Sequence, residues 1–167
     1  MYGKVLIPLD GYELAECSLD DLRNLSQGDK IGEAILLHVL DPIMWCGEGC
    51  DFVAVRNIQF RQAEKYIDKI KSQLGSEGIH AKAEILERGI VASSIVDYAK
   101  ENAVDLIIIS SHGYTGTKRW LFGSVALKVL HDSNAPVLLI RPESAGKNHF
   151  LKALEENALE KMKDEGI

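Results

Sequence analysis

No apolar run in these 167 residues approaches the roughly 20 needed to cross a membrane as a helix. Cysteine is scarce. The three present, Cys17, Cys46 and Cys50, are an odd number and exclude a secreted disulfide framework. Basic residues are outnumbered, 19 Lys and Arg against 25 Asp and Glu. The formal charge of −6 argues against a nucleic-acid partner, which ordinarily needs a basic surface. No internal repeat or low-complexity stretch occurs. A strand begins almost at Met1, which leaves no room for a signal peptide, and a cytoplasmic protein is expected.

What is there is alternation. The length suits one domain with an ordinary core. Lys4 to Pro8 predicts a strand. Leu14, Ala15, Ser18, Leu22 and Leu25 then recur at helical spacing, with Asp10 and Glu13 as a capping box and Cys17 as a small core residue. Ala34 to Leu40 predicts a nearly continuous apolar strand, with His38 a satisfied core histidine. Ala63, Ile67, Ile70 and Leu74 mark the inner face of a long helix that ends near Gly75 and Gly78. Ile79, Ala81, Ala83 and Ile85 alternate with polar residues, as in a half-covered edge strand. A helix over Ala92 to Asn102, a strand over Leu106 to Ile109, a helix over Ser124 to His131 and a strand over Val137 to Ile140 complete the series. This β-α-β order predicts an α/β domain, a doubly wound five-stranded parallel sheet with helices on both faces. Ligands in such folds bind beyond the carboxyl ends of the strands.

The last strand, entered through Pro136, is apolar throughout although it stands at an edge. Exposed apolar edges invite pairing. A homodimer through Pro136–Ile140 is expected, with cover by the C-terminal tail as the alternative. Residues 1–142 form the expected domain and 143–167 a linker with an amphipathic helix, whose stripe is Phe150, Leu151, Leu154, Ala158, Leu159 and Met162. That helix docks on its own domain, on the dimer partner or on another protein.

The segment Ile107-Ile108-Ile109-Ser110-Ser111-His112-Gly113-Tyr114-Thr115-Gly116-Thr117-Lys118-Arg119-Trp120-Leu121-Phe122-Gly123-Ser124 carries the clearest chemistry. An apolar strand empties into a small-residue loop that closes where a helix begins. Glycines permit close backbone approach, and a helix N-terminus offers free N–H groups and partial positive charge. Together they form a phosphate site. This is not a Walker A loop, because Lys118 follows Thr117 and not a glycine. Ser111 and His112 are sequence neighbours, which establishes no nucleophile–base geometry.

Read from Ser110, the spacing Ser-x2-Gly-x9-Gly-Ser resembles the universal stress protein family, whose ATP-binding members carry Gly-x2-Gly-x9-Gly-Ser/Thr here. Lys-Val-Leu-Ile-Pro-Leu-Asp at 4–10, Leu-Leu-His-Val-Leu-Asp at 36–41, Asp-Leu-Ile-Ile-Ile at 105–109 and Pro-Val-Leu-Leu-Ile at 136–140 resemble four family strands in order. The resemblance covers about residues 2 to 141. It implies a Rossmann-like sheet of the adenine nucleotide alpha hydrolase-like type, order 3-2-1-4-5, that binds ATP, ADP or AMP. Asp10 would take ribose hydroxyls with Pro8 beside it. Val39 would meet the adenine edge through its backbone. Gly113, Gly123, Ser124 and Val125 would cradle phosphate. The implied contacts also include Leu9, Ile109, Ser110 and His112, with no catalytic residue and no protein metal ligand. Mg or Mn would arrive with the phosphates. The departure is Ser110, where the family has glycine. Its Cβ crowds a close ligand, a positive φ there would cost about 1 kcal/mol, and its hydroxyl is a new donor. AMP or ADP is then favoured.

Plainer roles stand beside these. Asp10 is also an N-cap candidate, Gly113 and Gly116 turn the chain, and Lys118, Arg119 and His112 either face phosphate or are solvated. Cys46 and Cys50, in Met44-Trp45-Cys46-Gly47-Glu48-Gly49-Cys50, lack the second pair a structural zinc needs. The loop is expected to use Trp45 to cover an apolar patch at the nucleotide or the dimer interface, with a shared metal or a local disulfide between the two cysteines as the alternative. The leading expectation is a nucleotide-dependent regulator in a stress response. A slow metal-dependent ATPase and a nucleotide-free interaction module are its rivals.

Overall fold

The computed structural model describes residues 1–28, 31–43, 49, 51–87, 89–111 and 123–141. Strands β1 (Tyr2–Pro8), β2 (Ile31–Val39), β3 (Ala81–Leu86), β4 (Leu106–Ser110) and β5 (Val137–Ile140) form one sheet of order β3-β2-β1-β4-β5. Every pairing is parallel, running from Tyr2↔Ile31 to Pro8↔Leu37 between β1 and β2, and through Val5↔Leu106 between β1 and β4. The expected doubly wound sheet is therefore present, with β3 and β5 at its edges.

Strand alternation divides the core between two layers. Val5, Ile7, Ala34, Leu36, Leu106 and Ile108 meet α1 (Glu13–Glu16), α2 (Ser18–Ser26) and α3 (Phe52–Ser76). Leu6, Ile35, Leu37, Ile107 and Ile109 meet α4 (Val91–Glu101) and α5 (Ser124–Asp132) on the other face. Fully buried side chains such as Leu36 and Ile107 each contribute about 1.5–3 kcal/mol.

Helix α3 follows its sequence pattern. Asp51 caps it, accepting from the N–H groups of Val53 and Ala54 at 2.9 and 3.0 Å. Ala63, Ile67, Ile70 and Leu74 are all buried. Beyond its end the chain turns at Gly78, whose φ of +80° suits glycine, and Ile79 N–H bonds back to the Leu74 carbonyl.

The first helix differs from its pattern. It is broken at Cys17, because the Ser18 hydroxyl donates to the Ala15 carbonyl at 2.7 Å, an acceptor a continuous helix would use for Leu19. Cys17 is only half-buried at that break, so it is not the core residue expected. The capping box is absent too. Tyr12 is the N-cap, and Asp10 lies ahead of the helix in a turn of its own. The tail from Glu143, its amphipathic helix and the Met44–Cys50 loop (Gly49 apart) lie outside the described residues.

At the amino end of the sheet polar groups pair with one another. Lys4 N–H donates to the Asp105 carboxylate at 2.8 Å, and Asp105 N–H returns to the Lys4 carbonyl at 2.9 Å. Arg23 grips Glu77 through two hydrogen bonds of 2.6 and 3.0 Å and also reaches Asp20.

A candidate nucleotide cleft at the carboxyl end of the sheet

At the opposite end β1 and β4 diverge towards helices on opposite faces, which opens a crevice between them. The cleft there has a volume of about 330 Å³. Pro8, Leu9, Asp10, Val39, Ile109, Ser110, Gly123, Ser124 and Val125 all line it. These are nine of the residues singled out from the sequence. The other two, His112 and Gly113, lie outside the described residues, as do Lys118 and Arg119.

Three backbone features shape the cleft. The first is the end of β1. Leu9 N–H donates to the Leu37 carbonyl at 2.8 Å, so Leu37 faces β1. Two residues on, Val39 presents its N–H and carbonyl to the same side, past the last paired residue, Pro8. Leu40 turns the other way, to the Leu86 carbonyl.

The second is the turn at Asp10. Its carboxylate accepts from Tyr12 N–H at 3.0 Å, and Gly11 takes φ +89°. Asp10 is thereby held on the cleft wall in a defined orientation.

The third is the start of α5. Gly123 is extended and ties back to the strand, its N–H donating to the Ser111 carbonyl at 2.6 Å. Among the described residues no side chain caps the helix, and its first internal acceptor, the Gly123 carbonyl, is used by Leu127. The N–H groups of Ser124, Val125 and Ala126 therefore have no partner within the helix. With the positive end of the helix dipole behind them, they make this part of the cleft wall electropositive.

Ser110 ends β4 in extended backbone. Among the described non-glycine residues only Ala103 has a positive φ, of 51°. The strain expected of a side chain at position 110 does not arise. Alternation sends its side chain, like that of Ile108, towards α1 and α2, where its hydroxyl hydrogen-bonds the Cys17 thiol. Burial pushes that thiol's pKa up, and the Ser110 hydrogen bond partly opposes the shift.

His38 corrects another expectation. It lines the cleft only half-buried, and its Nδ1 is buried with no hydrogen-bond partner among the described residues. Burial lowers its pKa against the pull of Asp10, so the ring is neutral at pH 7. The ring meets Tyr66 edge-on at 6.2 Å, and burial raises the Tyr66 phenol above its ordinary range.

Besides His38, sequence reasoning missed Tyr12, Ala15, Leu37, Asp41, Val91, Ile95 and Ala126 as lining residues. Val91 and Ile95 were the most accessible of these, since they lie four apart on one face of α4.

A family model, the universal stress protein family, matches residues 1–141. The chain belongs to the universal stress protein family. Universal stress protein MJ0577 of Methanocaldococcus jannaschii is 31% identical over 161 residues, covering 87% of this chain and 98% of the relative. A solved structure of MJ0577 matches with a TM-score of 0.72 at 33% identity, covering 87% of this chain and 99% of that one. Two more distant solved members share the fold at TM-score 0.61. The Archaeoglobus fulgidus universal stress protein, in complex with dAMP, is 22% identical over 83% of this chain and 98% of that one. The Arabidopsis thaliana family protein with AMP bound is 15% identical over 85% of this chain and 93% of that one.

Proposed function

We propose that this universal stress protein binds an adenine nucleotide in the cleft and works as a nucleotide-dependent regulator. One observation carries the reading. The uncapped start of α5, the Asp10 turn and the backbone edge of Val39 open into the same cleft. Free amides suit phosphate, a carboxylate suits a ribose diol, and an N–H beside a carbonyl suits the adenine edge. The distant relatives that hold AMP and dAMP point to the same ligand class. Ser110 directs its hydroxyl at Cys17, so its side chain leaves the α5 amides clear for phosphate. A Mg or Mn ion would enter on the phosphate oxygens, since no group of three His, Cys, Asp or Glu is gathered among the described residues.

The reading extends to assembly. Leu138 on β5 is 37% exposed, and Leu127 and Leu130 on the neighbouring α5 are about half exposed. A second copy pairing through Pro136–Ile140 covers this apolar edge, and the C-terminal segment is available to a partner. Cytoplasmic location belongs to the same proposal.

The test is mass spectrometry of small molecules released on denaturing the purified protein, beside Gly123→Asp. A stoichiometric adenine nucleotide from the parent alone is expected. The variant places a carboxylate on the phosphate site, so it comes out empty. An empty parent that also fails to bind added AMP, ADP or ATP rejects the proposal.

A further inference from the structure

Tyr12 is a large aromatic residue that lines the cleft while remaining 46% exposed. Among the described residues the other exposed large apolar side chains, including Phe52, Val53, Ile58 and Ile90, do not line the cleft. Tyr12 is also fixed by its backbone. Its N–H is held by the Asp10 carboxylate at 3.0 Å, Gly11 supplies a positive φ just before it, and α1 starts just after it. The turn that orients the Asp10 carboxylate therefore also sets the tyrosine at the mouth of the cleft. The rest of the lining combines the aliphatic Val39, Val91, Ile95 and Ile109 with the polar His38 and Asp41.

An exposed aromatic ring beside aliphatic side chains, next to a carboxylate placed for a diol, is arranged for a flat ring attached to a sugar. Stacking accepts the face of any base. Resting on the nucleotide reading above, we propose that Tyr12 is a specificity-determining residue that stacks on the base. It makes the cleft select base-bearing nucleotides over sugar phosphates. Its action is through the ring face, so the phenol hydroxyl is not required.

The experiment is calorimetric titration of the full chain and of Tyr12→Ala and Tyr12→Phe with AMP and with ribose 5-phosphate, which has the sugar and phosphate but no base. Thermal melting of each variant monitors the fold. Tyr12→Ala is expected to lose about tenfold in AMP affinity, Tyr12→Phe to keep it, and ribose 5-phosphate binding to be equal in all three. If the parent binds AMP and Tyr12→Ala binds it equally well, the stacking role is overturned and the nucleotide reading stands. A parallel loss for both ligands also overturns it, because Tyr12 then serves only the shape of the turn. A parent that binds neither AMP nor any other adenine nucleotide overturns both.

Discussion

The two ends of the sheet are finished differently. At the amino end polar groups answer one another: Lys4 with Asp105, and Arg23 with Glu77 and Asp20. At the carboxyl end the amides that open α5, the edge of Val39 and Nδ1 of His38 have no hydrogen-bond partner among the described residues. Both ends contain helix termini and charged side chains, so composition does not separate them. What separates them is whether hydrogen-bonding capacity is used internally. A domain that pairs its polar groups at one end and leaves donors and acceptors converging at the other favours the second for a polar ligand.

The sharpest way to break this contrast is to remove one donor without disturbing the fold. Ser124 is the first residue of α5, where proline is tolerated, and Gly123 before it is already extended at φ −70°, ψ 152°. Ser124→Pro deletes one amide from the proposed anion site together with the serine hydroxyl, and Ser124→Ala, which removes the hydroxyl alone, separates the two. Calorimetry of the proline variant should show nucleotide affinity falling by about 10- to 100-fold with the melting temperature little changed. Next in size is Asp10→Asn, which keeps an acceptor for Tyr12 N–H but sets an amide against the diol. We expect about a tenfold loss for AMP and a smaller difference between AMP and dAMP in parallel titrations.

Changes at the amino end should touch stability alone. Asp105→Ala removes the acceptor for Lys4 N–H. Urea unfolding should register a loss of about 1 kcal/mol with nucleotide affinity intact. The smallest effect belongs to Glu77. The Arg23 guanidinium holds its carboxyl below the ordinary range, so its contribution is present at neutral pH and fades as pH falls through the lowered value. The urea midpoints of parent and Glu77→Gln should differ slightly at pH 7 and converge well below the ordinary carboxylate range. The pair is exposed, and a large gap at pH 7 would contradict this account.

Much of the fold was legible because periodicity survives packing. Ala63, Ile67, Ile70 and Leu74 are buried as their spacing requires, and the mixed pattern of 79–85 places β3 at an edge. Asp10 shows where local reading stops. Asp-x-x-Glu satisfies a capping pattern, but the positive φ of Gly11 puts a tight turn between carboxylate and helix. The break at Cys17 depends on one serine hydroxyl, which helical spacing cannot register. Tyr12 and His38 were missed for a different reason. Each lies beside a strand end, but only the assembled sheet determines whether such a side chain faces the cleft or the core.

The position of β1 at the centre of the sheet has a consequence for synthesis. It pairs with β2 soon after emerging, but its other neighbour is β4, and Lys4 and Asp105 are 101 positions apart. A chain still on the ribosome can join β1, β2 and β3 and cover one face with α3, while the other side of β1 waits. The walls of the cleft come from both halves, Asp10 from the first and Ser124 from the last. A partly synthesised chain therefore offers no complete cleft until β4 and the start of α5 have both emerged.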